Sequence, residues 1–528
     1  MAAEASVSVR TVGTSARNSA SATPVLTRLA SLNAAASLID YTAKVVTGLI
    51  VTPILLGALG RSLFGAWEVL NRLVNYMQAA DGRPTQALRL VIAQQQNSID
   101  TASRRRAIGA ALAVWVILLP VVLVASVLFV RFAPQLAGAS ADVADEVRLT
   151  CVLLLLSFLI AGLAAVPESV LRGMNLGYRR MGWQASLSVL GGVLAAFAAA
   201  SGFGLLGLGT AQIILWAVTA VCFLWLVRSS VPWFGADRPS RTEVRTLLGM
   251  SVWLSLGELV ARIMLASDVI LLGALIGPEI VTTYVITSNA ARVATGVHQM
   301  VASSAFPGIG GMLGDGQFDR AARTRQELMT LSWVSLTVIG AALLLWNQSF
   351  VALWVGPRNY AGTWPNLLVT LIAVQTAFIR VDAYVIDAAL RPRQRVIAGA
   401  FAAVVTLVLG TVLTKQFGLI GLCLAILASR ATQSIAYPML ARSSLRRAKK
   451  SESGPGIARR AVITVVLFVL AAAAGHRLLV SSWLLWAAGV LLTVPLISAF
   501  ALVAGLDRKS RQQTLMRVHM ILPRRASP

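Results

Sequence analysis

Fourteen separate stretches of this chain are apolar for long enough to cross the roughly 30 Å hydrocarbon layer of a bilayer, and that succession leaves few folds open. They fall near residues 32–56, 63–80, 107–130, 149–167, 185–201, 205–227, 247–275, 280–306, 329–355, 366–389, 396–414, 417–440, 461–476 and 479–504. The second is the least hydrophobic of them. In hydrocarbon each backbone polar group must be satisfied within its own segment, which makes such stretches helices. A mean hydropathy of +0.75, with 57% apolar residues over 528 positions, excludes a soluble globule. The expected fold is an all-α polytopic membrane protein of about 14 transmembrane helices.

A net charge of +25 suggests nucleic acid in a soluble chain, but here its distribution decides otherwise. One set of alternating loops and tails carries 34 Lys and Arg, including Arg104 to Arg106, Arg172, Arg179, Arg180, Arg391, Arg393 and the run from Arg442 to Arg460. The opposite set carries six: Arg61, Arg131, Arg148, Arg358, Lys415 and Arg477. The positive-inside rule therefore puts both termini in the cytoplasm. The basic charge is a topological signal that also meets anionic membrane lipids, and nucleic acid is not an expected partner.

The chain repeats itself. Phe-Gly-Leu-Leu-Gly-Leu at 203–208 returns as Phe-Gly-Leu-Ile-Gly-Leu at 417–422, and Leu-Leu-Gly-Ala-Leu at 55–59 returns at 271–275. Leu171-Arg172 and Leu390-Arg391 form a third pair in the same order. Two related six-helix bundles follow, 28–230 and 241–441, joined by a Pro-containing linker at 231–240. An even number of helices per half gives the halves one orientation, so a pseudo-two-fold axis along the membrane normal should relate them and a substrate site should lie between them. Residues 1–27, rich in Ser, Ala and Thr, read as a disordered cytoplasmic tail. Residues 442–460 read as a cytoplasmic linker, 461–506 as two appended helices without a counterpart in either half, and 507–528 as a basic cytoplasmic tail.

Cys151, Cys222 and Cys423 are isolated in apolar helices, and His298, His476 and His519 are scattered, so no metal site and no cofactor are expected. His298 reads as a hydrogen-bonded structural residue. Charges inside the spans are more informative, since each costs about 2.5–3.5 kcal/mol at the bilayer centre unless paired or hydrated. Asp40 and Lys44, Glu68 and Arg72, and Glu258 and Arg262 are each an acid followed by a base one helical turn later, a favourable order. Asp40 and Glu258 precede the repeated Leu-Leu-Gly-Ala-Leu by similar distances, so these pairs hold equivalent places in the two halves. Asn71, Asn75 and Gln78 share the helix of Arg72, and Asn289 shares that of Arg292. Such a polar face belongs against a water-filled cavity rather than lipid.

Mutual neutralisation inside packed helices is one account of the three pairs, and a ligand-facing cavity is the other. Arg292 has no acid within a turn on its own helix, and Arg72 sits among amides, so a ligand-facing role is expected for both. Lys44, Arg262, Asn71, Asn75 and Asn289 complete the expected substrate-binding set, with Asp40, Glu258 and Asp268 as candidates for coupling to H+ or Na+. Arg380, Asp382 and Asp387 are expected to form a second polar cluster, and Arg430 to snorkel towards the cytoplasm.

Thr52-Pro53-Ile54-Leu55-Leu56, Leu59-Gly60, Phe64-Gly65-Ala66-Trp67, Asp81-Gly82 and Ala87-Leu88-Arg89 together resemble the opening of the polysaccharide-transporter flippases. These belong to the multidrug/oligosaccharidyl-lipid/polysaccharide exporter superfamily. Asp268, Leu272-Gly273, Gly277 and Tyr284 resemble the start of that family's second half, and the resemblance covers about 32–440. Arg83-Pro84 departs from it, since the family usually places a small or apolar residue after Asp-Gly. The resemblance implies a V-shaped pair of bundles in the bacterial cytoplasmic (inner) membrane. It implies flipping of undecaprenyl-pyrophosphate-linked oligosaccharide by alternating access, for exopolysaccharide, O-antigen or capsule, beside a polymerase or export complex.

Basic cavity residues suit a pyrophosphate through charge-assisted hydrogen bonds. A cationic-drug antiporter of the same superfamily calls instead for an acidic or aromatic cavity. A lipid II flippase stays open, because its relatives use basic residues on the first, second and eighth helices, where Lys44, Arg72 and Arg292 fall. A polytopic glycosyltransferase or polymerase would need a large outer loop with catalytic groups. The longest outer loop, about 131–148, offers Asp142, Asp145 and Glu146 as solvated charge and no His, so the chain is not expected to be an enzyme.

Overall fold

The computed structural model describes residues 19–80, 84–95, 100–174, 176–304, 306–389, 392–445, 456–506 and 511–512. Among the described residues the chain is helical with no strand. The helices are α1 (Ser19–Ala80), α2 (Pro84–Gln94), α3 (Thr101–Ala137), α4 (Ala144–Gly173), α5 (Gly177–Ala200), α6 (Gly204–Ser230) and α7 (Arg241–Leu275). They continue as α8 (Pro278–Ser304), α9 (Phe306–Gly314), α10 (Phe318–Val355), α11 (Thr363–Ala388), α12 (Pro392–Ser444), α13 (Gly456–Arg477) and α14 (Trp483–Gly505).

Every apolar stretch lies in a helix, and the chain is a multi-pass membrane protein, but eleven helices among the described residues are individually long and apolar enough to span. The difference from fourteen has two causes. α1 and α12 each run through two of the stretches, turning at Gly60 (φ 73°) and Gly418 (φ 59°), a backbone conformation that only glycine adopts freely. α8 is too polar to qualify, because protein rather than lipid surrounds it: residues 281–288 are all buried, Thr282, Thr283, Thr287 and Ser288 included. α1 also begins at Ser19, inside the stretch whose composition reads as a tail. The short helices α2 and α9 have no signal in the apolar pattern.

The sequence repeat has a backbone counterpart. Gly204 and Gly418, second residues of the two Phe-Gly-Leu motifs, have φ of 58° and 59°. Leu-Leu-Gly-Ala-Leu is followed in both copies by a positive-φ glycine, Gly60 or Gly277.

Among α1–α6, α4 packs on α6 and α1 on α5; among α7–α12, α11 packs on α12 and α10, and α12 on α7. The two sets meet through α1 against α7 and α8 and through α2 and α3 against α7. A shared apolar core, including Leu70, Leu205, Leu272, Ile286 and Leu422, closes this seam. At its tightest point a Cβ on Gly65 would lie 1.9 Å from the Pro278 carbonyl oxygen. The linker is fastened to the first turns of α3: Arg104 stacks on Trp233 at 5.0 Å, Arg105 pairs with Asp237 at 3.3 Å and Arg106 with Glu243 at 3.1 Å. Glu243 also closes a capping box with Ser240 at the start of α7.

α13 and α14 dock on α10. Trp346 donates to Thr493 at 2.8 Å and Trp333 to Thr464 at 3.0 Å, each indole finding a hydroxyl in an otherwise apolar contact. Outward-facing residues such as Val124, Val127, Leu484 and Leu491 are exposed, as a lipid-facing surface requires.

A candidate anion site between the halves

α8 carries the centre of the site. Arg292 keeps an exposed side chain on a helix whose residues 281–288 and Ala291 are all buried, the combination expected of a cavity wall open to water. Its Nη2 donates to the Val285 carbonyl at 3.1 Å, one turn back. The charges of Glu68 and Arg72 on α1, Asp268 on α7 and the hydroxyl of Tyr284 on α8 act on it directly. Among the described residues Arg72 forms no hydrogen bond or ion pair. Two guanidiniums, on α1 and α8, thus feel each other's charge, an arrangement that repels itself unless an anion comes between.

The three acid–base pairs behave differently. Lys44 meets Asp40 at 2.8 Å and Arg262 meets Glu258 at 2.6 Å. Glu68 and Arg72, equally spaced in sequence, are not bridged; the neutralisation account fails there, and the charges of both act on Arg292. Tyr41 donates to the Val293 carbonyl at 2.7 Å, which sets the Asp40–Lys44 turn of α1 against α8 beside Arg292. Arg262 shares the neighbourhood of Tyr76 with Arg72 and Asp268. Asn71 donates to the carbonyl of Trp67 on its own helix at 3.0 Å. Asn75 and Asn289 are half-buried on the same two helices. The side chains of Gln78 and Ala79 and residues 81–83 lie outside the described residues.

Two expectations need correction. Arg430 does not snorkel: it is buried in α12, where Nη1 donates to the Ile372 carbonyl at 3.4 Å and to the Thr376 hydroxyl, and Nη2 to the Met264 carbonyl at 3.4 Å. Acceptors supplied by α7 and α11 hold it inside. Arg380, Asp382 and Asp387 do not form one cluster, because each acid finds an arginine elsewhere: Arg325 on α10 at 2.6 Å from Asp382, and Arg395 on α12 at 2.8 Å from Asp387. Arg380 is left in the field of Arg430. Tyr76 and Tyr284 also border the site, and sequence offered no signal for them beyond the family pattern at Tyr284.

Other polar residues have structural partners. His298 is buried and bonded to Ser335 at 3.0 Å. Asn347 joins α10 to the Thr287 carbonyl and to Asn366 at 2.9 and 2.7 Å. Two acids near the start of α4 are engaged as well, while Asp142 is exposed: Glu146 accepts from the Leu205 amide at 2.9 Å, capping α6, and Asp145 pairs with Arg148 at 2.5 Å. The cysteines are free, and no grouping of three metal-ligating side chains occurs among the described residues.

A family profile described as polysaccharide biosynthesis protein matches residues 35–312, from the first apolar helix past Arg292. The chain belongs to this family. The match bears out the resemblance in the opening motifs and the start of the second half. The inward-closed structure of the lipid II flippase MurJ is 11% identical, with a TM-score of 0.68 over 92% of this chain and 99% of that one. An inward-facing MATE-family multidrug resistance transporter of the MOP superfamily is 15% identical, with a TM-score of 0.65 over 78% of this chain and 99% of that one. A search of curated proteins finds no match. At such identities the two structures establish a shared fold.

Proposed function

We propose that the chain flips undecaprenyl-pyrophosphate-linked oligosaccharide across the cytoplasmic membrane, by alternating access between its two halves, for surface polysaccharide biosynthesis. Membership of the polysaccharide biosynthesis family supports the pathway. The charge of the seam supports the headgroup. Arg72 and Arg292 share the field of Glu68 and Asp268, and Arg430, with Arg380 near it, shares that of Asp268; none of the four arginines has an ion pair among the described residues. Two uncompensated positive charges match the two negative charges of a pyrophosphate diester, and guanidiniums can grip it bidentately.

A cation antiporter is disfavoured by the same excess. The lipid II reading shares the diphosphate and differs in the sugar, which the charged residues do not distinguish. With the inside negative, an anionic headgroup moving outward gains about 2.3 kcal/mol per charge per 100 mV, so coupling to H+ or Na+ through Asp40, Glu258 or Asp268 is an aid rather than a requirement. In vesicles containing the purified protein, the lipid-linked oligosaccharide should move between leaflets at a rate that collapses on Arg292→Ala. Equal movement with the variant would reject the assignment.

A further inference from the structure

Two guanidiniums on different helices approach one carboxylate without bonding to it. Asp268, on α7, accepts from the Tyr284 hydroxyl on α8 at 2.7 Å and from the Val269 amide at 2.8 Å. Arg292 binds the carbonyl of Val285, the residue next to Tyr284. Arg430 binds the carbonyl of Met264, one turn before Asp268 on α7. Asp268 is therefore bonded beside the anchoring points of both arginines, and its charge reaches both. Its oxygens nevertheless go to a hydroxyl and an amide.

This arrangement separates field from hydrogen bonds. A carboxylate in direct contact would occupy the guanidinium donors and bar a second anion. One held a short distance away lowers the electrostatic cost of keeping two cations inside while leaving the donors of Arg292 free for a ligand. It also repels that ligand, which favours release at the far leaflet. Tyr284 fixes the distance: without its hydroxyl, Asp268 is free to turn towards Arg292.

We propose that Asp268, positioned by Tyr284, is a resident counter-anion that limits how tightly Arg292, with the charge of Arg430 behind it, holds an entering diphosphate, and so sets the rate of its release. The inference rests on the diphosphate reading of the site. Asp268→Asn keeps an acceptor for Tyr284 and removes the charge; Tyr284→Phe keeps the charge and removes the tether. Binding of farnesyl diphosphate, with uncharged farnesol as control, would be measured on the full chain in lipid nanodiscs.

Asp268→Asn should bind the diphosphate about tenfold more tightly, since a like charge beside the ligand is gone, and should flip lipid-linked oligosaccharide more slowly. Tyr284→Phe should bind it more weakly, the opposite direction, and Asp268→Asn/Arg430→Gln should return towards the parent affinity. A purely structural role for Asp268 would instead weaken binding and lower thermal stability together. Unchanged or weaker binding by Asp268→Asn, where the parent binds, would overturn the counter-anion alone. No diphosphate binding by the parent protein would overturn the reading of the site, and this inference with it.

Discussion

Arg325 reaches Asp382 across 57 positions of sequence and 2.6 Å of space, joining α10 to α11 with side chains 17% and 3% exposed. Burying both charges is costly, and breaking such a pair strands one of them, at about 3–5 kcal/mol, whereas replacing both by apolar residues can be neutral. Asp382→Ala should therefore lower the thermal unfolding midpoint of the solubilised protein sharply. Asp382→Leu/Arg325→Leu should recover most of it with export intact. A double variant as unstable as the single would show that the pair does more than neutralise itself.

Arg72 and Arg292 should tolerate little. Each Ala variant should lower export of surface polysaccharide by at least about tenfold, the scale of one charge-assisted contact, at unchanged membrane abundance. Lys should rescue partly, because the charge survives while the planar fork is lost. Normal polysaccharide in either Ala variant at native expression would remove these residues from the site.

Glu258 and Arg262 meet at 2.6 Å on one face of α7, which makes them a test of packing against transport. Single replacements should reduce abundance, and Glu258→Leu/Arg262→Leu should restore it. Export should stay low in the double variant, since the charge of Arg262, like those of Asp268 and Arg72, acts on Tyr76 in the seam. Full export would reduce the pair to a packing device.

Topology is tested where the basic loops are densest. Single cysteines at Ser453 and Ser527, both outside the described residues, in a chain lacking Cys151, Cys222 and Cys423, should resist an impermeant thiol reagent in intact cells. Labelling without lysis at either position would reverse the orientation drawn from the positive-inside rule.

The helical class, the repeat and the residues around Arg292 were legible because each is written locally: apolar length, a recurring Phe-Gly-Leu, a charge where lipid forbids one. Partnership was not. Nothing within a turn of Arg430 announces that Thr376, Ile372 and Met264 will hold it inside, and Asp382 lies far in sequence from Arg325. Glu68 and Arg72 show the converse: i,i+4 spacing permits a bridge worth a few tenths of a kcal/mol on a helix surface, too little to outweigh the pull of a neighbouring charge on another helix. α8 was legible as the stretch 280–306, but not the reason for its polarity, since a helix wrapped in protein need not be apolar.

The two copies of Leu-Leu-Gly-Ala-Leu separate sequence equivalence from structural equivalence. A Cβ on Gly57 in α1 would meet nothing within 4 Å, whereas one on Gly273 in α7 would lie 2.6 Å from the Leu136 carbonyl oxygen and 2.8 Å from Val69. Gly57→Ala should be neutral or stabilise by about 0.5–1 kcal/mol, because alanine restricts the unfolded chain and favours helix. Gly273→Ala should force α7 away from α3 and cost about 1–3 kcal/mol, the scale of overpacking in a close-packed interior. Unfolding midpoints of the two variants should move in opposite directions, or one should not move at all. Equal losses would mean that the first copy is also packed against a neighbour, and that the two halves meet their surroundings more symmetrically than α1 and α7 do here.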